Sequence, residues 1–352
     1  MKTLFYHNKP LIGLDISQTG LKVMSIDPKK WLVLGYGSMD LDPTKMQKML
    51  NDKNTDYLAE SIQKLMSEHV VGELNTRHVV IGVPTSRSYS RTFTVPVKAE
   101  ASLSDAVKLE VQQYIPVPIE SLYLDYEVIE RDKENATVIM AAVPKEVVDH
   151  CVEAVESIGM LPVMAEPSIN AVARVLRETE SADLPSLIVD IGPAGTDIAV
   201  IDKGVVRVTG AVAIGGNTFT LDIAKKLGVT LENAHQLKVL NGLSSGSRQA
   251  KISAALEPSL SSINKEILKV IRYYKERLAS EKKIEQVLIV GGGSNVPGIG
   301  DYFTNSLIMP ARVASPWQQL NFDKLKQPSK QYRSRYIAVA GLASVKPEQV
   351  FE

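Results

Sequence analysis

Two short turns carry the residues whose types and spacing could do chemistry. The first sets Asp15 beside Ser17, Gln18, Thr19, Gly20 and Lys22 in LIGLDISQTGLKVMSID, and the second sets Asp190 beside Gly192, Gly195 and Thr196 in LIVDIGPAGTDIAVID. A turn that places a carboxylate next to hydroxyls and a glycine offers backbone N–H groups and a ligand oxygen side by side. That combination suits a phosphate and its Mg²⁺. Either turn alone is an ordinary hairpin with a polar tip. With Asp190 laid on Asp15, however, the segments share Asp, Ile, a glycine (Gly20 and Gly195), a later Ile (Ile26 and Ile201) and Asp (Asp27 and Asp202). The offset of 175 residues is about half of a 352-residue chain, as an internal duplication would give. Two such turns facing each other would clamp a polyphosphate, with Asp15 and Asp190 holding the metal directly or through water.

A third cluster, Gly291, Gly292, Gly293 and Ser294 in VLIVGGGSNVPGI, lies between a strand pattern and a helix pattern. Glycine there lets backbone approach a planar ligand and lets amides reach a phosphate. The cluster lacks the G-x-G-x-x-G order of a dinucleotide fold, and the chain has no G-x-x-x-x-G-K-[ST]. The five histidines are scattered without metal-ligand spacing, and there is no G-x-S-x-G nucleophile elbow. Cys151 is the sole cysteine and falls mid-helix, where a small core residue is the expectation. Glu166 in Ala165-Glu166-Pro167 is the nearest candidate for a water-positioning carboxylate, with a brace between lobes as the competing expectation.

The elements that must position these groups read as α/β. Residues 11–27 form a hairpin, 31–37 a third strand, 57–69 an amphipathic helix and 79–83 a buried strand. Residues 88–158 read as a compact β-α-β-β-α insertion, with a helix over 103–114 that stops before Pro116 and Pro118. On that helix Leu103, Ala106, Val107, Val111 and Tyr114 share one face and Leu109 points away from it. Polar residues 178–186 mark a crossing between halves. In the second half, Gly215 and Gly216 precede a helix over 218–227. A second helix covers 231–240, 242–247 form a loop, and apolar positions from Leu260 to Leu278 mark a long helix beginning at Ser259. A small-residue helix over 336–345 closes the chain. The expected domains are 1–87 with 159–185, the insertion 88–158, 186–216 with 286–352, and a helical subdomain 217–285.

Forty basic residues balance forty acidic ones, so no basic field exists to hold a nucleic acid. With 44% hydrophobic and 23% charged residues the chain is an ordinary globular protein. A single cysteine and the lack of a signal-peptide pattern or an 18-residue apolar run give the expectation of a cytoplasmic protein with no direct membrane insertion.

Taken in order, the two hairpins, Gly215-Gly216 and the glycine triplet resemble the phosphate and adenosine loops of the actin-like ATPase superfamily. Within it, EASLSDAVKLEVQQYIPVPIE, AIGGNTFTLDIAKK and the final YIAVAGLA resemble the PilM family of cytoplasmic type IV pilus assembly proteins, related to the cell-division protein FtsA. The resemblance implies ATP or ADP with Mg²⁺ between duplicated lobes, with Lys238 reaching the ribose. It also implies that the inserted subdomain binds a partner. The family pattern before that lysine is A-E-x-[LI]-K, whereas this chain reads Ala234-His235-Gln236-Leu237-Lys238, so a purine or ribose carboxylate is missing. The implied partner is the N-terminal cytoplasmic peptide of a bitopic inner-membrane pilus protein, docked near Leu109, Ile115 and Val117. Turnover is expected to be slow or absent. A homo-oligomer, an FtsA-like filament former and a small-molecule kinase of the same superfamily stay open as alternatives.

Overall fold

The computed structural model describes residues 9–52, 56–97, 102–180, 184–244, 247–277 and 282–351. Leu278, the first eight residues, 181–183 of the crossing segment and 245–246 of the expected loop lie outside the described residues. The first lobe contains β1 (Ile12–Ser17), β2 (Gly20–Asp27), β3 (Leu32–Asp40), α1 (Pro43–Asp52), α2 (Asp56–Glu68), β4 (Val70–Gly72) and β5 (His78–Val83). The chain then leaves as β6 (Tyr89–Pro96), α3 (Leu103–Tyr114), β7 (Leu122–Arg131), β8 (Asn135–Pro144) and α4 (Lys145–Ser157), and returns as β9 (Leu161–Pro167) and α5 (Ser168–Thr179). The second half follows as β10 (Ser186–Ile191), β11 (Thr196–Asp202), β12 (Val205–Val212), α6 (Gly216–Leu227), α7 (Leu231–Leu240) and α8 (Ser247–Arg277). It ends with β13 (Gln286–Val290), α9 (Ile299–Leu307), β14 (Ala311–Val313), α10 (Lys330–Arg333) and α11 (Ile337–Ala343).

The duplication seen in the hairpins extends to the sheets. One sheet runs β4-β3-β2-β1-β5-β9, and the other runs β14-β13-β10-β11-β12-β6-β8-β7. Three antiparallel strands followed by two parallel ones (β3-β2-β1-β5-β9) recur as β12-β11-β10-β13-β14, with β1 pairing β5 and β10 pairing β13 in parallel. Helices α5 and α11 lie between the sheets. Ile169, Val172, Leu176, Ile337, Val339 and Ala340 share one buried cluster with Met24 and Ile26 of β2 and with Ile188 and Leu288 of the second sheet. The two helices approach so closely that a Cβ on Gly341 would lie 1.9 Å from the Ala171 carbonyl oxygen, which explains the small-residue composition of the last helix. Outer faces are covered by α1, α2 and α4 on the first sheet and by α6, α7, α8 and α9 on the second.

Three expectations are corrected here. Helix α4 belongs to the first lobe by packing rather than to the insertion, because Val147, Cys151, Ala154 and Val155 are buried with Ile12, Leu58 and Val79. What remains, β6, α3, β7 and β8, has its own small core and continues the second sheet through the single pair Val208 and Arg91. Ile115, expected to be open to a ligand, is 5% exposed in that small core, and Val117 packs against it. The two prolines thus fix the apolar segment inward. Finally, α8 starts at Ser247 and runs through Pro258 instead of beginning at Ser259. An internal proline costs about 3 kcal/mol. Burial of Ile252 and Leu256 on the same face as Leu260, Ile263 and Ile267 contributes roughly 1.5–3 kcal/mol each, which outweighs it.

Candidate functional site

Both hairpin turns open onto one cleft of about 420 Å³ between the lobes. Ile16, Leu14, Leu21 and Val23 anchor the first hairpin in the core, so the alternation along the strands forces Asp15 and Lys22 onto the cleft side. Lys22 Nζ donates to Asp15 Oδ2 at 2.7 Å, and Ser168 Oγ, at the start of α5, donates to Asp15 Oδ1 at 2.7 Å. Ser17, Gln18, Thr19 and Gly20 form the adjoining lip, with Ser17 Oγ donating to the Gly20 carbonyl at 2.7 Å. Opposite lie Asp190, Gly192, Pro193, Ala194, Gly195 and Asp197.

Asp197 is the residue that sequence reasoning missed. It pairs with Asp190 across β10 and β11 as Lys22 pairs with Asp15 across β1 and β2. The repeat offset carries Lys22 onto Asp197, which was the signal available. Replacing the cation of one half by a carboxylate leaves three acidic groups around one lysine. Burial, followed by the Asp15 carboxylate, raises Asp190 to about 6, and Lys22 opposes the shift. Burial raises Asp197 to about 7, with Asp190 and Asp15 adding to the effect and the Thr85 hydroxyl opposing it. Among the described residues no group of three His, Cys, Asp or Glu side chains is close enough to cage a metal ion by itself. The hard oxygen donors nonetheless suit Mg²⁺, which is usually held by one or two carboxylates together with water and phosphate oxygens.

The glycine triplet closes the floor. Gly291 has φ of 80°, and a Cβ there would lie 2.2 Å from Asp190 Oδ1, so only glycine lets β13 turn beneath this carboxylate. Gly292 lines the cleft and continues into a second recess of about 340 Å³, lined also by Gly293, Gly216, Asn217, His235, Lys238, Asn295, Tyr332 and Arg335. Gly192, Pro193, Gly292 and Arg335 border both cavities, so the two form one continuous groove.

Several residues expected at the ligand also have partners within the protein. Thr196 Oγ1 donates to the Ile214 carbonyl at 2.7 Å, and Ser294 Oγ donates to the Gly291 carbonyl at 2.7 Å, so both hydroxyls brace their turns. Gly216 N and Asn217 N donate to the carbonyls of Gly192 and Pro193, each at 2.9 Å, which locks the second turn against the start of α6. Gly215 allows this approach and does not itself line either cavity. Lys238 Nζ donates to the Gly216 carbonyl at 2.7 Å and to Thr220 Oγ1 at 2.8 Å. Glu166 does not line the cleft. Its two carboxylate oxygens accept from Arg174 at 2.7 and 2.8 Å, and Arg174 also donates to the Gly341 carbonyl at 2.8 Å. The carboxylate is consumed in tying β9 to α5 and α11, which corrects its expected water-positioning role. Cys151 is buried in the first-lobe core and its thiol is pushed up to about 12 by that burial, as a structural residue should be. Leu109 is 61% exposed, as its helical phase required.

Residues 13–345 match the family model described as type IV pilus assembly protein PilM. FtsA of Neisseria meningitidis serogroup B is 27% identical over 186 residues, covering 47% of this chain and 44% of FtsA. The chain thus spans less than half the length of the curated relatives it matches. A solved structure described as the PilM-PilN type IV pilus biogenesis complex superposes with a TM-score of 0.78 at 23% identity, covering 96% of this chain and 98% of that one. MreB 5 of Spiroplasma citri, bound to AMPPNP, superposes with a TM-score of 0.56 at 14% identity over 95% and 94% of the two chains. Duplicated sheets, hairpins meeting at one cleft and these similarities establish an actin-like ATPase fold. The chain belongs to the PilM family of type IV pilus assembly proteins.

Proposed function

We propose that this protein is a nucleotide-binding scaffold of type IV pilus assembly, or of a related secretion or competence machine. A Mg²⁺-bound adenine nucleotide would lie between the lobes, and the inserted subdomain would hold the cytoplasmic N-terminal segment of a bitopic inner-membrane protein. The carrying observation is that the Asp15–Lys22 and Asp190–Asp197 register pairs meet at one cleft whose floor is glycine. Three carboxylates repel a free phosphate, and a Mg²⁺ held by Asp15 and Asp190, directly or through water, would offset that repulsion. Lys22 would neutralise a further phosphate oxygen and the 192–195 turn would supply backbone donors. Turnover is proposed to be slow. Glu166 is held by Arg174 and does not line the cleft, so no free carboxylate at that position would orient a water.

The exposed Leu109 on α3 supports a docking surface on the insertion, in keeping with the partner of the structural neighbour described as a PilM-PilN complex. Among the described residues no helix is long and apolar enough to cross a membrane. Recruitment to the inner face of the cell membrane through the partner is the proposed localisation. Thermal unfolding with MgATP tests the nucleotide. At 100 times its dissociation constant a ligand adds about 2.7 kcal/mol to native stability. Asp190→Ala should remove that rise, and retention of the full rise by Asp190→Ala would refute the clamp.

A further inference from the structure

The insertion is joined to one lobe by its chain and to the other by its contacts. Both chain connections belong to the first lobe, since residues 84–88 lead out of β5 and Pro144 leads directly into α4. Thr85 roots the outgoing segment there by accepting from the backbone N–H of Ile169 on α5 at 3.2 Å, and Pro84, Thr85 and Ser86 line the cleft. On the α4 side, Tyr123 Oη donates to Asp149 Oδ1 at 2.9 Å, but this tyrosine is 48% exposed. Contacts with the second lobe are more buried. Beside the Val208–Arg91 strand pair, Thr209 Oγ1 donates to the Ser90 carbonyl at 3.4 Å. Glu130 of β7 accepts from Arg207 at 3.0 Å and from Lys203 at 2.9 Å, and the Arg207 side chain is 5% exposed. The Arg91 guanidinium lies over two rings, 4.1 Å from the centroid of Tyr114 on α3 and 4.5 Å from that of Tyr273 on α8. Both fall within the reach of about 6 Å over which a ring face attracts a cation. One side chain thus fastens the last turn of α3 to the long helix of the second lobe.

The strand seam beneath this clip is weak. Arg91 Nη1 and the hydroxyls of Ser90 and Thr92 are buried with no hydrogen-bond partner among the described residues, and unmet polar groups oppose the closed junction. The grip on the insertion therefore falls on the Arg91 clip and the Glu130 ion pairs. Strand β12 connects that grip to the site, because Val212 lines the cleft and stands four residues beyond Val208, roughly 14 Å along the strand. We infer that Arg91, held by Tyr114 and Tyr273, makes the insertion move with the second lobe when nucleotide draws the lobes together, so that the surface bearing Leu109 shifts against the first lobe from which its chain emerges. Arg91 lines neither cavity and acts here as a positioning residue. The inference rests on nucleotide binding in the cleft and goes beyond it by assigning which lobe carries the docking surface.

Distances between paired spin labels on the full chain test it, with Cys151→Ala removing the native thiol. One pair joins Gln112→Cys on α3 to Lys64→Cys on α2, and the other joins Gln112→Cys to Lys275→Cys on α8; all three positions are exposed. On addition of MgATP the first distance should shift and the second should stay fixed. In Arg91→Ala and in Tyr273→Leu the second distance should shift or broaden, and the first should no longer follow the nucleotide. Tyr273→Phe keeps the ring and should respond as the native residue does. Unfolding midpoints establish that each variant is folded and still gains stability from MgATP. A second distance that shifts in the native protein, a first distance that stays fixed although MgATP raises the midpoint, or an unaltered response in both Arg91→Ala and Tyr273→Leu would overturn the inference. A native midpoint that MgATP does not raise would instead overturn the nucleotide reading on which it stands.

Discussion

Glu166→Ala separates a brace from a catalytic carboxylate. In the native protein both oxygens of Glu166 accept from Arg174, and the side chains are 7% and 19% exposed. Removing one member of such a pair strands the other charge, which in buried settings costs about 3–5 kcal/mol. Arg174 keeps its bond to the Gly341 carbonyl and a little solvent, so the lower end, about 3 kcal/mol, is expected. At about 2 °C per kcal/mol for a large domain, the unfolding midpoint should fall by roughly 6 °C. Because α5 also carries Ser168 against Asp15, loosening β9 and α5 should weaken MgATP binding by a fewfold at most at temperatures well below the midpoint. Differential scanning calorimetry, with nucleotide titration at 15 °C, measures both quantities. Single-turnover phosphate release, normalised to bound nucleotide, completes the test. An unchanged midpoint together with abolished turnover would refute the brace and return Glu166 to the reacting water.

The raised pKa values of Asp190 and Asp197 have a definite sign. Between about 4 and 7 the folded protein holds protons that the unfolded chain has released, so these groups erode stability as pH rises through that window. Asp197→Asn should therefore stabilise the ligand-free protein at pH 8 and change little at pH 4.5, as read by midpoints across pH, and the MgATP-induced rise in the wild type should be larger at pH 8 than at pH 5.5. Leu109→Asp should weaken binding of the partner peptide at least tenfold in calorimetry with little change in the midpoint, since the side chain is exposed. Ile115→Asp should instead unfold the insertion, read as loss of its protection in hydrogen exchange, because a carboxylate would be buried among Val107, Val111 and Ala142. A Gly341→Ala variant meets the Ala171 carbonyl directly and should lower stability by about 3 kcal/mol.

Strand alternation and the repeat made the site's backbone legible from the sequence. The pattern of apolar residues around Asp15 and Asp190 fixes which side chains face away from the core, and it does so locally, through the two-residue period of a strand. The 175-residue offset foretold that the two turns are equivalent, and equivalence is a property of sequence alone. Helical phase likewise put Leu109 outside. The assignments that needed tertiary structure were those in which a polar or apolar group chooses among distant partners. Glu166 is satisfied by Arg174, Ser294 by the carbonyl of Gly291, and Ile115 by a core built from β6 and β8. Helix α4 follows the insertion in sequence yet packs on the first lobe, because its apolar face matches the surface left by α1, α2 and β5. Local periodicity determines which face a residue presents. Which neighbour meets that face depends on long-range packing, and so, in this protein, does the difference between a ligand contact and a brace.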